Sequence, residues 1–163
     1  MIHLRWKTRQ QCQQQQLSLT QRDWLFDTSS LTQRVKQHCH QPFSVKIIQQ
    51  SWQRPRLDES TQLGLANHHR ALVREVYLLC GQQPFIHARS IIPRKTLLMN
   101  RACLGKLGTR PLGEILFSSH AVRRGEIHVK KIDQSVWGRR SLFFIQSHPL
   151  LVSEMFINSM FIN

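Results

Sequence analysis

The chain has 163 residues, of which 40% are hydrophobic and 8% aromatic, and this composition excludes an intrinsically disordered protein and fits one domain. Its formal net charge is +14, with residues 1–82 contributing +6 and residues 83–163 contributing +8. Because the excess is spread along the chain, it argues against a basic tail. It leaves long-range attraction of a small anionic substrate and incidental polyanion binding both open.

The cysteines and the N-terminus indicate the redox state of the thiols and the location of the protein. Cys12, Cys39, Cys80 and Cys103 form no CxxC pair and are too few for a disulfide framework, so reduced thiols are expected. The His38-Cys39-His40 triplet lacks a second ligand pair at zinc spacing, so no metal is expected there. The first seven residues contain no apolar leader and no run reaches membrane-spanning length, which predicts a cytoplasmic protein without membrane insertion.

Two short helices are predicted near the N-terminus. Residues 8–16 are rich in Gln and predict a loose lead-in. Ser18 or Thr20 can cap a helix that reaches Leu25, and the capping cluster at residues 27–30 precedes a second helix toward residue 39.

A strand and then a hairpin are predicted next. Residues 43–52 alternate as a strand, and residues 57–69 predict a loop with at most one turn of helix. Apolar runs at 72–80 and 85–92, joined by residues 81–84, predict a β-hairpin. With a four-residue loop, Arg74 opposes Ile91 and Arg89 opposes Val76, and the two arginines share one face of the sheet. A slip of one residue would separate them.

The C-terminal half predicts two more helices and three more strands. Helices are expected over 96–107 and from Pro111, where they form a lid, and strands over 125–132, 141–146 and 150–157. Short connections between consecutive strands favour antiparallel pairing. The predicted class is α+β, with a single six-stranded antiparallel sheet covered by short helices and one domain over residues 1–163.

Two buried arginines on one face require partners, because an unmatched buried charge costs several kcal/mol. Glu75 points to the other face from Arg74, and Glu154 is the one acid embedded in an apolar strand. One carboxylate cannot neutralise two guanidinium groups, so an anionic ligand and a structural ion-pair network both remain open. The chain has no nucleophile elbow, P-loop, GxGxxG or HExxH motif.

Several motifs resemble those of the chorismate lyases, or chorismate pyruvate-lyases, of bacterial ubiquinone synthesis. The similarity follows the same order and spacing over nearly the whole chain. It lies in residues 23–32, Val73-Arg74-Glu75-Val76, Ala88-Arg89-Ser90-Ile91-Ile92-Pro93, residues 107–117, Trp137-Gly138-Arg139-Arg140-Ser141 and residues 149–156.

The resemblance implies a sheet whose active cavity is closed by two helical flaps, and conversion of chorismate to 4-hydroxybenzoate and pyruvate without cofactor or metal. In the positions that match the family, Arg74 and the backbone of Leu112 would hold the ring carboxylate, and Arg89 would stabilise the departing enolpyruvyl group or its carboxylate. Glu154 would contact the ring hydroxyl or act as general base for the ring proton. Leu31 would lie against the ring.

Two other functions compete with the lyase. A non-catalytic module that binds small anions is the first, because effector domains of some transcription regulators share this fold. Such domains follow a DNA-binding domain, which does not precede the predicted sheet. Nucleic-acid binding through the four Trp residues ranks last, since their neighbours are typical of a core. We expect a monomer whose partner is the small substrate, with no specific nucleic acid.

Overall fold

The computed structural model describes residues 5–14 and 17–157, and its main element is one antiparallel sheet. The predicted α+β class is confirmed, but the predicted number of six strands is wrong, since eight are present in these residues. The strands are β1 Lys7–Thr8, β2 Phe43–Gln53, β3 Ala71–Cys80, β4 Gln83–Pro93, β5 Val122–Arg124, β6 His128–Lys131, β7 Trp137–Ile145 and β8 His148–Phe156.

The sheet runs in the order β1-β6-β7-β8-β4-β3-β2, and β5 pairs with β7 beyond the end of β6. The two strands that the sequence did not predict are β1 and β5, which have two and three residues. Segments this short contain too few residues to show an alternating pattern. Residues 15–16 of the Gln-rich lead-in lie outside the described residues, and residues 11–14 form a 3₁₀ turn.

Six short helices accompany the sheet in the described residues, and none of them is long and apolar enough to cross a membrane. Ser18 and Ser30 cap the first two helices, as predicted. The predicted loop after residue 57 contains a third, which ends at Gly64 in the left-handed conformation. The predicted helix over 96–107 is two helices that meet at Asn100. The helices are α1 Leu19–Leu25, α2 Leu31–His38, α3 Leu57–Leu63, α4 Arg94–Met99, α5 Arg101–Leu104 and α6 Leu112–Phe117.

Helices cover both faces of the sheet. We call the face that carries Arg74 and Glu154 the front face, and the face that carries Glu75 and Arg89 the back face. On the front face, α1 and α2 pack on one half of the sheet and the segment from α5 to α6 on the other. On the back face, Leu63 of α3 packs on the central strands. The front face therefore has a junction between two groups of helices.

The hairpin register differs from the prediction by one residue at its centre, and this difference decides which side chains share a face. Cys80 pairs with Gln83, so the turn is two residues shorter than predicted. A shift of two residues leaves every side chain on its predicted face of the sheet, because side chains alternate with a period of two. A bulge at Phe85 then shifts the register by one residue. As a result Arg74 pairs with Ser90 and Arg89 with Glu75, so the prediction that both arginines share one face is wrong.

Cys39 and Cys80 form a disulfide, so the prediction of four reduced thiols is wrong. The two residues are 41 positions apart in sequence and their Cα atoms lie 5.7 Å apart. Sequence spacing could not reveal this pair, because the end of α2 is brought beside the end of β3 only by the tertiary fold. The bond joins α2 to the central sheet.

We expect the protein purified without reductant to show two titratable thiols after denaturation, those of Cys12 and Cys103, and four after reduction. Reduction should lower the free energy of unfolding by about 2–4 kcal/mol, because it releases a long closed loop of the unfolded chain. Thiol titration and urea unfolding measure both effects. Four titratable thiols before reduction would contradict the disulfide.

Candidate active site

A small cavity of about 40 Å³ lies between the front face, α2 and α6. The cavity is narrow with the helices in these positions. Most of the lining is apolar, and it includes Leu31, Val76, Leu78, Ala88, Leu112, Leu116, Phe117, Phe143 and Val152.

Arg74 is the cationic group of the cavity. It is 1% exposed, and its Nη2 donates hydrogen bonds to the carbonyl oxygens of Gly108 and Arg110 at 3.1 and 3.0 Å. Its Nε has no hydrogen-bond partner, and no carboxylate of the described residues pairs with it. Burial lowers the pKa of Arg74 from its ordinary value. A buried guanidinium with spare donors is a site for an anion.

Glu154 is the acidic group of the cavity, and Arg139 fixes its position. Arg139 is 1% exposed, and its Nε donates to Oε2 of Glu154 at 2.6 Å. The Nη1 atom of Arg139 donates to the carbonyl oxygens of Asp27 and Trp24 at 2.8 and 3.2 Å. In the described residues, Oε1 of Glu154 accepts no hydrogen bond. This oxygen is therefore available to a hydroxyl group of a ligand.

Arg124 adds a third positive charge near Glu154. Its Nε donates to Oγ of Ser141 at 3.0 Å. Burial, together with the positive charge of Arg139, lowers the pKa of Arg124 to about 10, although Glu154 and Asp27 oppose the shift. At a pKa of about 10, Arg124 remains charged at neutral pH. The groups on this part of the front face therefore carry more positive than negative charge.

Arg89 lies on the back face, away from the cavity, where it bridges two carboxylates. Its Nε and Nη2 donate to the two carboxylate oxygens of Glu59 at 2.7 and 3.0 Å, and its Nη1 pairs with Glu75. The hydrogen bond with Glu59 raises the pKa of Arg89 despite its burial. Burial alone would raise the pKa of Glu75, but its hydrogen bonds with Arg89 and Gln49 bring it below the ordinary value. Two carboxylates therefore face one guanidinium group, and the charge of Arg89 is fully matched inside the protein.

Four of the five predicted site residues therefore meet at one cavity, which Arg74, Glu154, Leu31 and Leu112 all line, and Arg89 does not. Sequence reasoning missed the positioning contact of Arg139 and the nearby Arg124. Strand alternation from Trp137 would have placed Arg139 opposite Glu154, but the predicted strand began at residue 141. It also missed Glu59, because residues 57–69 were predicted as a loop.

The helices over the cavity touch each other, and we call α2 and α6 the two flaps. Lys36 of α2 donates to Glu114 of α6 at 2.7 Å. A Cβ atom at Gly113 would lie 2.9 Å from Oγ1 of Thr32, so only glycine permits this approach. The flaps are closed in this structure. Together with the loop that Arg74 holds, they shield the cavity from water.

This arrangement can bind a small, flat, apolar molecule with a carboxylate at one end and a hydroxyl group at the other. Arg74 would meet the carboxylate and Glu154 the hydroxyl group, with aliphatic and aromatic side chains around the ring. Among the described residues, no group of three or more His, Cys, Asp or Glu could hold a metal ion. The fold and cavity define the class: an α+β protein whose antiparallel sheet carries a buried arginine and a glutamate in a cavity under two flaps.

Comparison with known proteins gives the family. The family model for chorismate lyase matches residues 3–163. The chain is 40% identical over 149 residues to a probable chorismate pyruvate-lyase of Methylococcus capsulatus, covering 82% of this chain and 92% of that protein. It is 35% identical over 135 residues to the chorismate pyruvate-lyase of Pectobacterium atrosepticum, covering 83% and 75%. The chain belongs to the chorismate lyase family.

Solved structures with a similar fold come from transcription regulators. The PhnF C-terminal domain aligns with a TM-score of 0.58 at 12% identity, covering 81% of this chain and 90% of that chain. A GntR-family regulator from Bacillus cereus aligns with a TM-score of 0.53 at 9% identity, covering 73% and 94%. At such low identity these similarities concern the fold alone.

The contact between the flaps can be tested with a double-mutant cycle. We expect Gly113→Ala to lower the free energy of unfolding by about 1–3 kcal/mol, because the new methyl group overlaps Oγ1 of Thr32. The same substitution in a Thr32→Ala background should cost clearly less, since the overlapping atom is absent. Urea unfolding of the four proteins measures the coupling. Equal costs in both backgrounds would contradict the closed contact.

The charge network of the back face predicts a pH dependence of stability. A group with a lowered pKa stabilises the fold above its unfolded pKa, here 4.5, and this contribution is lost as the pH falls through the folded value. Glu75→Gln should therefore cost about 1.5–3 kcal/mol near neutral pH. The difference from the unsubstituted protein should shrink below pH 4.5. Urea unfolding across pH measures it, and a constant difference would refute the network.

Proposed function

We propose that the protein is a chorismate pyruvate-lyase, which eliminates pyruvate from chorismate to give 4-hydroxybenzoate. The observation that carries the proposal is the buried Arg74, which lacks a carboxylate partner among the described residues and lies in one cavity with Glu154. Family membership and the names of the relatives support it. The family match over residues 3–163 also supports one chorismate lyase-like domain.

The site would bind chorismate by its two ends. Arg74 and the backbone of Leu112 would receive the ring carboxylate, and Leu31 would pack on the ring from the other flap. The free Oε1 of Glu154 would accept the hydrogen bond of the ring hydroxyl group, while Arg139 holds the other oxygen. Fixing both ends in a closed apolar cavity orients the ring for elimination.

For the elimination of pyruvate from chorismate, the protein has mainly to orient the substrate and to stabilise the charge that develops. The bond between the ring and the ether oxygen breaks, the ring carbon that bears the hydroxyl group loses its proton, and the ring becomes aromatic. The released enolpyruvate takes up a proton to become pyruvate. Negative charge develops on the departing oxygen, and the excess of Arg74, Arg124 and Arg139 over Glu154 would stabilise it. Neither step consumes a cofactor.

The role predicted for Arg89 changes in this proposal. Its guanidinium group is on the back face and is occupied by Glu59 and Glu75, so we propose that it acts through the sheet and does not touch the departing group. It would tie α3 to β3 and β4 and so contribute to the stability of the fold. The cytoplasmic location and the monomeric state stay predictions.

The direct test is to mix the purified protein with chorismate, without added metal, and to follow 4-hydroxybenzoate by absorbance. The proposal expects product well above the uncatalysed rate. The alternative, a non-catalytic module that binds small anions, expects binding of 4-hydroxybenzoate without turnover of chorismate. That result would reject the lyase and support the alternative.

Two matched substitutions test the assignment of the faces. Arg74→Lys should lower kcat/KM by about 100-fold or more, because lysine keeps the charge but loses the two-pronged bond to a carboxylate. Arg89→Lys makes the same chemical change on the back face. It should lower the melting temperature and leave kcat/KM within about threefold, since it removes no ligand contact. Steady-state kinetics measure kcat/KM of the two variants, and thermal unfolding measures their melting temperatures. An equal loss of kcat/KM in both variants would show that Arg89 takes part in catalysis and would contradict the assignment of the faces.

A further inference from the structure

A second concave surface lies outside the cavity and shares none of its lining residues. We call it the basic groove, and its volume is about 1260 Å³. Its apolar lining comprises Trp52, Leu65, Pro93, Leu97, Leu98 and Met99, and its other side chains are His68, His69, Arg70, Arg94, Lys95 and Arg101.

Three apolar side chains of the basic groove are exposed to solvent. Trp52 is 43% exposed, Leu98 41% and Met99 59%. Single exposed apolar residues are common on proteins, but a contiguous group in a groove marks a surface that binds something. The groove therefore has an apolar part that water covers in the isolated chain.

Charge around the groove is of one sign. Its lining includes no Asp or Glu, and Arg70, Arg94, Lys95 and Arg101 form no ion pair with a carboxylate of the described residues. Arg94, Lys95 and Arg101 of the lining lie in one stretch of sequence, residues 94–101, that contains no Asp or Glu. The positive charge is thus concentrated beside the exposed apolar side chains.

Helix α4 presents this surface in a fixed orientation. Oγ1 of Thr96 donates to the carbonyl oxygen of Pro149 at 2.6 Å, and Nδ2 of Asn100 donates to the carbonyl oxygen of Thr96 at 2.8 Å. Both side chains are buried, while Leu98 and Met99 are exposed. The helix is anchored through its inner side, and its outer apolar pair adds nothing to that anchoring.

We propose that the basic groove binds the surface of a bilayer that contains anionic phospholipids. Phosphate oxygens of the head groups would meet Arg70, Arg94, Lys95 and Arg101, and the exposed apolar residues would enter the boundary between head groups and acyl chains. The protein would lie on the membrane without crossing it.

Hydrogen-bonding chemistry favours a lipid surface over other anions. Apart from imidazole nitrogens, the side chains of the groove offer only donors, which suits phosphate oxygens that only accept. A peptide presents both donors and acceptors. Single-stranded nucleic acid favours platforms of large aromatic side chains on which successive bases stack, and Trp52 is the one Trp, Tyr or Phe in the lining of the groove.

Sedimentation with vesicles tests the proposal on the full chain. We expect the protein to sediment with vesicles of phosphatidylcholine and phosphatidylglycerol, and not with vesicles of phosphatidylcholine alone. Arg94→Glu/Lys95→Glu should lower the partition coefficient at least about tenfold. Arg123→Glu/Lys131→Glu makes the same change in net charge at exposed residues outside the groove and should lower it much less.

A third pair, Leu98→Ser/Met99→Ser, removes apolar contact without changing charge. It should lower the partition coefficient about tenfold, since each residue loses an apolar side chain that would enter the boundary. Binding equal to that of the unsubstituted protein would overturn the proposal. No sedimentation with anionic vesicles at low salt, or equal losses in the two charge-reversed pairs, would overturn it as well.

The lyase assay separates this proposal from the proposed function. Without vesicles, all three pairs should turn over chorismate as the unsubstituted protein does, because none lines the cavity. Vesicle binding by a protein without lyase activity would reject the proposed function alone. Lyase activity without vesicle binding would reject the membrane proposal alone.

Discussion

The buried guanidinium group of Arg74 is the interaction on which the rest of the site depends. A charge at 1% exposure is costly, and in the described residues it receives only two backbone carbonyl oxygens in return. Those carbonyls belong to the loop that leads into α6. The side chain that we propose as the anion-binding group therefore also holds the loop that leads into this flap. In the proposed complex, anion binding and flap closure would therefore be coupled through one residue.

The buried charges are paired differently on the two faces of the sheet. On the back face Arg89 is matched by Glu59 and Glu75, and its charge is satisfied inside the protein. On the front face Arg139 satisfies only one oxygen of Glu154 and no carboxylate of the described residues satisfies Arg74. This incomplete pairing is the reason that the proposed binding site lies on the front face. The one-residue bulge at Phe85 creates this division.

The class, most strand positions and the buried positions of Arg74 and Glu154 could be predicted, since long alternating runs and charged residues within apolar strands are local signals. Leu31 and Leu112, which also line the cavity, were predicted only from the resemblance to the family. The bulge at Phe85 was not predictable, because any residue of the hairpin could have been the extra one. Arg139, Glu59 and the Cys39–Cys80 disulfide depend on contacts between distant segments. Family resemblance placed Arg89 near the chemistry, but it carried no information about which face the side chain occupies.

The most direct measurement is a crystal structure of the protein with 4-hydroxybenzoate. We expect the carboxylate of the ligand to bind Arg74 and the backbone of Leu112, and its hydroxyl group to lie within hydrogen-bond distance of Glu154. We expect Arg89 to keep its bonds to Glu59 and Glu75. A ligand carboxylate bound by Arg89, or a ligand outside the cavity under α2 and α6, would contradict this expectation.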